Sequence, residues 1–125
     1  LSQLDTMKTR LLAFRFAIQG IVHGLKTEAH LRFHILAAIL VIGLGCWFSI
    51  SPIEWCLVTI AMGIVISAEL INAALERLAD RITKEEDPLI GQAKDLGAGA
   101  VLVASIMAVC IAIWVFGPYI YRLLS

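Results

Sequence analysis

The sequence predicts an all-α membrane protein: an N-terminal amphipathic interfacial helix followed by three transmembrane helices. Three observations carry that prediction. Of the 125 residues, 60% are hydrophobic and only 16% are charged, with a mean hydropathy of +0.89, against roughly 25% charged residues in an ordinary soluble domain. A chain this short cannot hide so much apolar surface in one soluble core. From Phe33 onward, apolar runs of about the 20 residues that cross a bilayer recur three times. Before them, apolar residues return at helical spacing.

That first stretch places Leu4, Met7, Leu11, Phe14, Ile18, Ile21 and Leu25 at alternating threes and fours, with Lys8, Arg10, Arg15, Gln19 and Lys26 on the other faces. A helix over residues 1–28 follows. It lies on the cytoplasmic leaflet with its basic side to the headgroups, or packs as a soluble amphipathic helix on a partner. Gly20 and Gly24 are expected to loosen its end. In the next turn, Glu28 and Arg32 are four apart, as are His30 and His34. Two histidines at that spacing suit zinc only with further ligands. At headgroup level the same turn contacts a lipid head or a phosphate, or simply anchors the chain.

The first span is expected at about 33–50. Ser51 and Pro52 form a turn, with Pro52 suited to the first position of the next helix. The second span covers about 53–82, with Glu54 on its surface. A polar bend from Lys84 to Pro88 leads to a third span at about 96–116, which Gly117 and Pro118 are expected to break. Tyr119 and Tyr121 form an interfacial belt beyond it, and Trp47, Trp55 and Trp114 lie near the same edge. The whole chain, 1–125, reads as a single integral membrane domain.

Charge adds orientation. The formal net charge is zero, so no basic field argues for nucleic acid. Of the ten basic residues only Arg122 lies at the far end, which puts the N-terminus and the Arg77 to Lys94 region in the cytoplasm. Cys46, Cys56 and Cys110 have no CxxC pairing and read as small apolar filler. No cleavable signal peptide is expected, because the first strongly apolar run begins only near Phe33 and no small-residue cleavage site follows it.

The chemistry concentrates between Ser67 and Leu102. Glu69, Asn72, Glu76 and Asp80 follow one another by three, four and four residues, and so share one helix face. A carboxylate within hydrocarbon costs at least about 2.5–3.5 kcal/mol, so such a stripe needs partners or water and is a site by default. Beyond the bend, Lys94 and Asp95 stand at the mouth of the third span. Carboxylates, a lysine and a polar loop suit a magnesium ion and a polyphosphate, and a further carboxylate suits removal of a proton from an attacking hydroxyl. Those parts fit phosphoryl transfer to a lipid alcohol. No GxxxxGK[ST] loop and no kinase-type GxGxxG segment is present, and the GAGA run at 97–100 reads as close helix packing. On spacing alone, a small ion or proton translocator is an equal contender, and the acids also fit a polar zipper between identical helices.

The segments AELINAALERLADRI and QAKDLGAGAVL, with Gly20, Glu28 and Arg32 upstream, resemble the signature of the small prokaryotic diacylglycerol kinase family, which includes the undecaprenol kinases. The resemblance covers nearly the whole chain. It implies a homotrimeric helical bundle with active sites between protomers in the bacterial cytoplasmic (inner) membrane, ATP as co-substrate and Mg2+ as cofactor. It implies Glu69 as the catalytic base and Glu28 and Glu76 as metal ligands. It further implies nucleotide contacts by Arg10, Phe16, Glu28, Glu76, Asp80, Glu85, Glu86, Asp87, Lys94 and Asp95, and lipid-substrate contacts by Glu69, Asn72, Arg32 and His34. Phe16 stands where some members carry tyrosine, leaving stacking without a phenol hydrogen bond. The Arg32, Phe33, His34 run resembles the undecaprenol kinase branch, which favours undecaprenol over diacylglycerol, although His30 stands where that branch usually has asparagine. Taken without the resemblance, Asp80 also reads as a solvated helix end and Glu85 to Asp87 as an acidic loop.

Overall fold

The computed structural model describes residues 2–125 and consists of four helices. They are α1 (Ser2–Thr27), α2 (Ala29–Phe48), α3 (Pro52–Ile82) and α4 (Pro88–Leu124). The last three are each long and apolar enough to cross a bilayer. At 1.5 Å per residue the 20 residues of α2 reach about 30 Å, one hydrocarbon thickness. The 31 of α3 and 37 of α4 reach about 46 and 55 Å, so both must project beyond it. The polar ends of those two helices are where the acids and Lys94 lie.

Local chemistry sets the boundaries. Ser49 closes α2 in the left-handed conformation (φ 52°), its N–H bonded to the Cys46 and Gly45 carbonyls. Two residues later Ser51 caps α3: its hydroxyl accepts from the Glu54 N–H, the Glu54 carboxylate accepts from the Ser51 N–H, and Pro52 opens the helix. This is a complete capping box. Asp87 caps α4 by accepting from the Leu89 and Ile90 N–H groups, again with proline at the start.

Several expectations are corrected. The helix that carries the third apolar run begins at Pro88, eight residues before Leu96, because Asp87 and Pro88 form a cap and first-turn pair. The bend is therefore confined to Thr83–Asp87, and Lys94 and Asp95 are helical. Gly117 and Pro118 do not break α4, which continues to Leu124. Proline at 118 removes only its own N–H bond near the helix end, a loss that membrane helices tolerate. Gly20 and Gly24 remain inside α1, and Gly24 is a close-contact site, since a Cβ there would meet Leu31 at 2.9 Å. Glu54 is half-buried and held, not free on the surface.

α3 is the central element and packs most extensively on α4, while α1 rests on α2 and α3 near its C-terminal end. The apolar core, Ile50, Val58, Val115 and Phe116, lies at the end of the bundle away from the acids. There Gly45 admits the Trp55 ring, which would lie 2.6 Å from a Cβ at that position, and Tyr119 donates to Glu54 at 2.6 Å. Large apolar side chains elsewhere on the spans, among them Leu36, Ile39, Ile71 and Leu102, are exposed. So is the α1 stripe of Leu4, Met7, Leu11 and Phe14. Such surface needs lipid or further protein against it.

Candidate active site

The acidic stripe runs along the C-terminal half of α3, and its members pass from dry to wet. Glu69 is 4% exposed and Asn72 8% exposed, whereas Glu76 is half-buried and Asp80 is exposed. Eleven residues at 1.5 Å each separate the ends of this ladder by about 16 Å. At each level the carboxylate meets a polar partner. Burial alone would make these groups too costly, and the partners are what make them tolerable.

At the dry end, His34 of α2 brings Nε2 to 3.7 Å from Glu69 Oε2, with both side chains largely enclosed. Phe33 presents its ring edge-on to the imidazole, with 5.5 Å between centroids. The same two residues close one end of an apolar cavity of about 290 Å³ between α2, α3 and α4, continued by Val41, Val58 and Val65. The imidazole therefore lines the end of that cavity, and Glu69, which does not itself line it, stands against the imidazole.

In the middle, the Asn72 amide donates to Glu76 Oε1 at 3.4 Å. Nearby, Arg77 donates to Glu28 Oε1 at 2.7 Å and to the Thr27 hydroxyl. This clasp joins α3 to the link between α1 and α2. Arg32 donates to the Leu25 carbonyl at 3.0 Å, a C-terminal carbonyl of α1.

At the wet end, Lys94 Nζ donates to Asp80 Oδ1 at 2.7 Å. Lys94 precedes the apolar part of α4 that begins near Leu96, and its ammonium is held above the ordinary lysine value, first by that hydrogen bond and then by the Asp80 and Glu76 charges. Asp80, Lys94 and Thr83 to Pro88 line a polar pocket of about 510 Å³. Within it the Thr83 hydroxyl accepts from the Glu85 N–H, and Asp87 is engaged as the α4 cap.

The structure thus brings together Glu69 with His34, Asn72 with Glu76, and Asp80 with Lys94 and the 85–87 loop. It does not gather all the predicted residues. Arg10 and Phe16 are exposed on α1, and Arg10 forms no ion pair with the rest among the described residues. Asp95 turns to a different face of α4, along a groove with Gln92 and Ala68. Among the described residues no group of three or more His, Cys, Asp or Glu side chains is placed to hold a metal, so the histidine pair at 30 and 34 gains no further ligand of that kind. Arg77 and Thr27 are additions that the sequence did not single out. The partner of Arg77 lies 49 positions earlier, a separation that helical spacing cannot reveal.

A family model described as prokaryotic diacylglycerol kinase matches residues 15–116. An undecaprenol kinase of Bacillus subtilis (strain 168) is 37% identical over 106 residues, covering 85% of this chain and 86% of the relative. A diacylglycerol kinase of Escherichia coli (strain K12) is 34% identical over 110 residues, covering 85% and 90%. A diacylglycerol kinase of Haemophilus influenzae is 31% identical over 107 residues, covering 86% and 87%.

Proposed function

The chain belongs to the prokaryotic diacylglycerol kinase family, and from that premise we propose that it transfers the γ-phosphate of ATP to the hydroxyl of a membrane lipid, undecaprenol in preference to diacylglycerol. The observation that carries the reading is Glu69, buried beside His34 where an apolar cavity ends, on the same helix face that leads down to Lys94 and the polar pocket. A lipid tail suits the first environment and a polyphosphate the second.

In the reaction, the lipid hydroxyl oxygen attacks the γ-phosphorus, the bond from that phosphorus to the β,γ-bridging oxygen breaks, and ADP leaves. The hydroxyl proton passes to a Glu69 carboxylate oxygen, with the His34 imidazole standing 3.7 Å from that carboxylate. General-base assistance of this kind contributes about 10²–10⁴-fold. Asn72 and Arg32 orient the acceptor region. Lys94 neutralises phosphate charge, and Asp80 and Glu85 to Asp87 surround the nucleotide; Asp95, Arg10 and Phe16 lie apart from that pocket within one protomer and meet the nucleotide only at a site shared with another.

Magnesium takes one or two carboxylates together with phosphate oxygens and water. Glu28 and Glu76 supply that number, and each has only Oε1 engaged by a protein donor among the described residues, so the donor set fits. When bound, the ion offsets charge on the transferring group.

The choice of acceptor draws support from the Arg32, Phe33, His34 run and from the imidazole at the cavity's end. The exposed apolar flanks support assembly as a homotrimer with sites shared between protomers. The distribution of basic residues supports a bacterial cytoplasmic-membrane location with the N-terminus and the polar pocket facing the cytoplasm. The test is detergent-solubilised protein given γ-labelled ATP, magnesium and lipid. Label should enter the lipid fraction, and Glu69→Gln and Glu76→Gln should each lower it by about a hundredfold or more. Unlabelled lipid with the unsubstituted chain would refute the proposal.

A further inference from the structure

Where α4 crosses the stripe, Gly97 faces Asn72, and a Cβ added at position 97 would lie 2.5 Å from Asn72 Oδ1. That oxygen is enclosed and has no hydrogen-bond partner among the described residues, although Asn72 is only 8% exposed. Leaving a buried carbonyl unpaired is unfavourable, so another requirement must hold the amide this way round. The other half of the planar group supplies it: Nδ2 donates to Glu76 Oε1 at 3.4 Å. With the NH2 turned to the carboxylate, the oxygen must point toward α4, and only the absence of a side chain at 97 leaves room for it.

We propose that Gly97 is a positioning residue for the phosphoryl-transfer site, acting through Asn72 on Glu76. The bare Gly97 backbone admits the Asn72 oxygen, the amide then fixes one Glu76 oxygen, and Glu76 Oε2, engaged by no protein donor among the described residues, would be free to hold a divalent ion. Outer contacts of this kind commonly govern ligand geometry. Three residues earlier, Lys94 grips Asp80, so one register of α4 sets both the phosphate-facing cation and the acid above it. The proposal rests on the reading of Glu76 as a metal ligand.

The test is a double-substitution cycle on the full chain in detergent: Gly97→Ala, Asn72→Ala and both together. Two quantities are measured: the thermal midpoint, and binding of Mn2+ with a non-hydrolysable ATP analogue followed by electron paramagnetic resonance. Gly97→Ala alone is expected to lower the midpoint and to weaken Mn2+ binding by about tenfold or more, the usual scale for an outer-shell partner. In the Asn72→Ala background the same change should leave binding unaltered and hold or raise the midpoint, because alanine is the better helix former once its obstacle is gone. Failure of Gly97→Ala to fold, with recovery in the double variant, would support the proposal in the same way. Equal destabilisation in both backgrounds would overturn it, showing plain close packing, and so would unchanged Mn2+ binding in Gly97→Ala. No Mn2+ binding by the unsubstituted chain would remove the metal-ligand reading and the functional half of the proposal, while the change of sign in the midpoint would still decide whether Gly97 acts through Asn72.

Discussion

His34 Nε2 lies 3.7 Å from Glu69 Oε2, and this approach joins α2 to α3 at the end of the apolar cavity. The imidazole is the polar group that receives the most deeply buried acid of the stripe. His34→Ala should therefore reduce turnover about tenfold, equivalent to about 1.4 kcal/mol in the barrier, while Glu69→Gln reduces it by about 10²–10⁴-fold. Steady-state kinetics with saturating ATP separates the two. Turnover unaffected by His34→Ala would show that the imidazole does not position Glu69.

Arg77 holds one oxygen of Glu28. If Glu28 is to meet a divalent ion, its arginine competes with that ion. Arg77→Gln should lower the magnesium concentration needed for half-maximal activity by a few-fold, and Glu28→Gln should raise it. Titration of activity with magnesium gives both numbers, and a rise in both variants would mean that Arg77 aids the metal site.

The Lys94 and Asp80 pair is partly exposed, with side-chain exposures of 39% and 56%, and screening leaves such pairs little influence on folding. Asp80→Asn should leave the thermal midpoint unchanged. Lys94→Met should instead raise KM for ATP and lower kcat/KM. Because Lys94 is held above its ordinary value, its charge is fully present at neutral pH and is lost only as the pH rises through that elevated value. No loss of ATP affinity from this group is expected across an assay range of about pH 6–9.

At the opposite end of the bundle, Tyr119 ties α4 to Glu54 at the start of α3, and Arg122 lies 5.4 Å from the tyrosine ring centroid. Tyr119→Phe removes the hydrogen bond and keeps the ring. It should lower the thermal midpoint and leave kcat/KM for ATP unchanged, as differential scanning and kinetics together would show. A drop in kcat/KM would couple this distant clasp to the stripe.

Much of the arrangement was legible because membrane burial imposes strong local rules. Apolar length marked the three spans, Pro52 marked the start of α3, and the spacing of Glu69, Asn72, Glu76 and Asp80 marked one face. Pairings between helices were not legible in the same way. Nothing local to His34 points to Glu69, or local to Arg77 to Glu28, since these depend on how α2, α1 and α3 rotate against one another. Asp87 and Pro88 were a readable cap, obscured by the charge around them. Pro118 shows the limit of a local breaker rule, because a helix that loses one backbone bond near its end is still held by packing against Val58 and Ile50 through the adjacent Phe116. The role of Gly97 depends on a side-chain amide across the interface, and the small-residue run itself indicated only close packing.

The central claim is phosphoryl transfer to a lipid at Glu69, and a competition assay tests it most directly. The purified chain in mixed micelles receives γ-labelled ATP, magnesium, and undecaprenol and diacylglycerol at equal mole fraction. The account predicts label in both extracted lipid phosphates, more of it in undecaprenyl phosphate, and at least about a hundredfold less in each with Glu69→Gln. Label in neither lipid, together with ion or proton flux in liposomes without nucleotide, would contradict it.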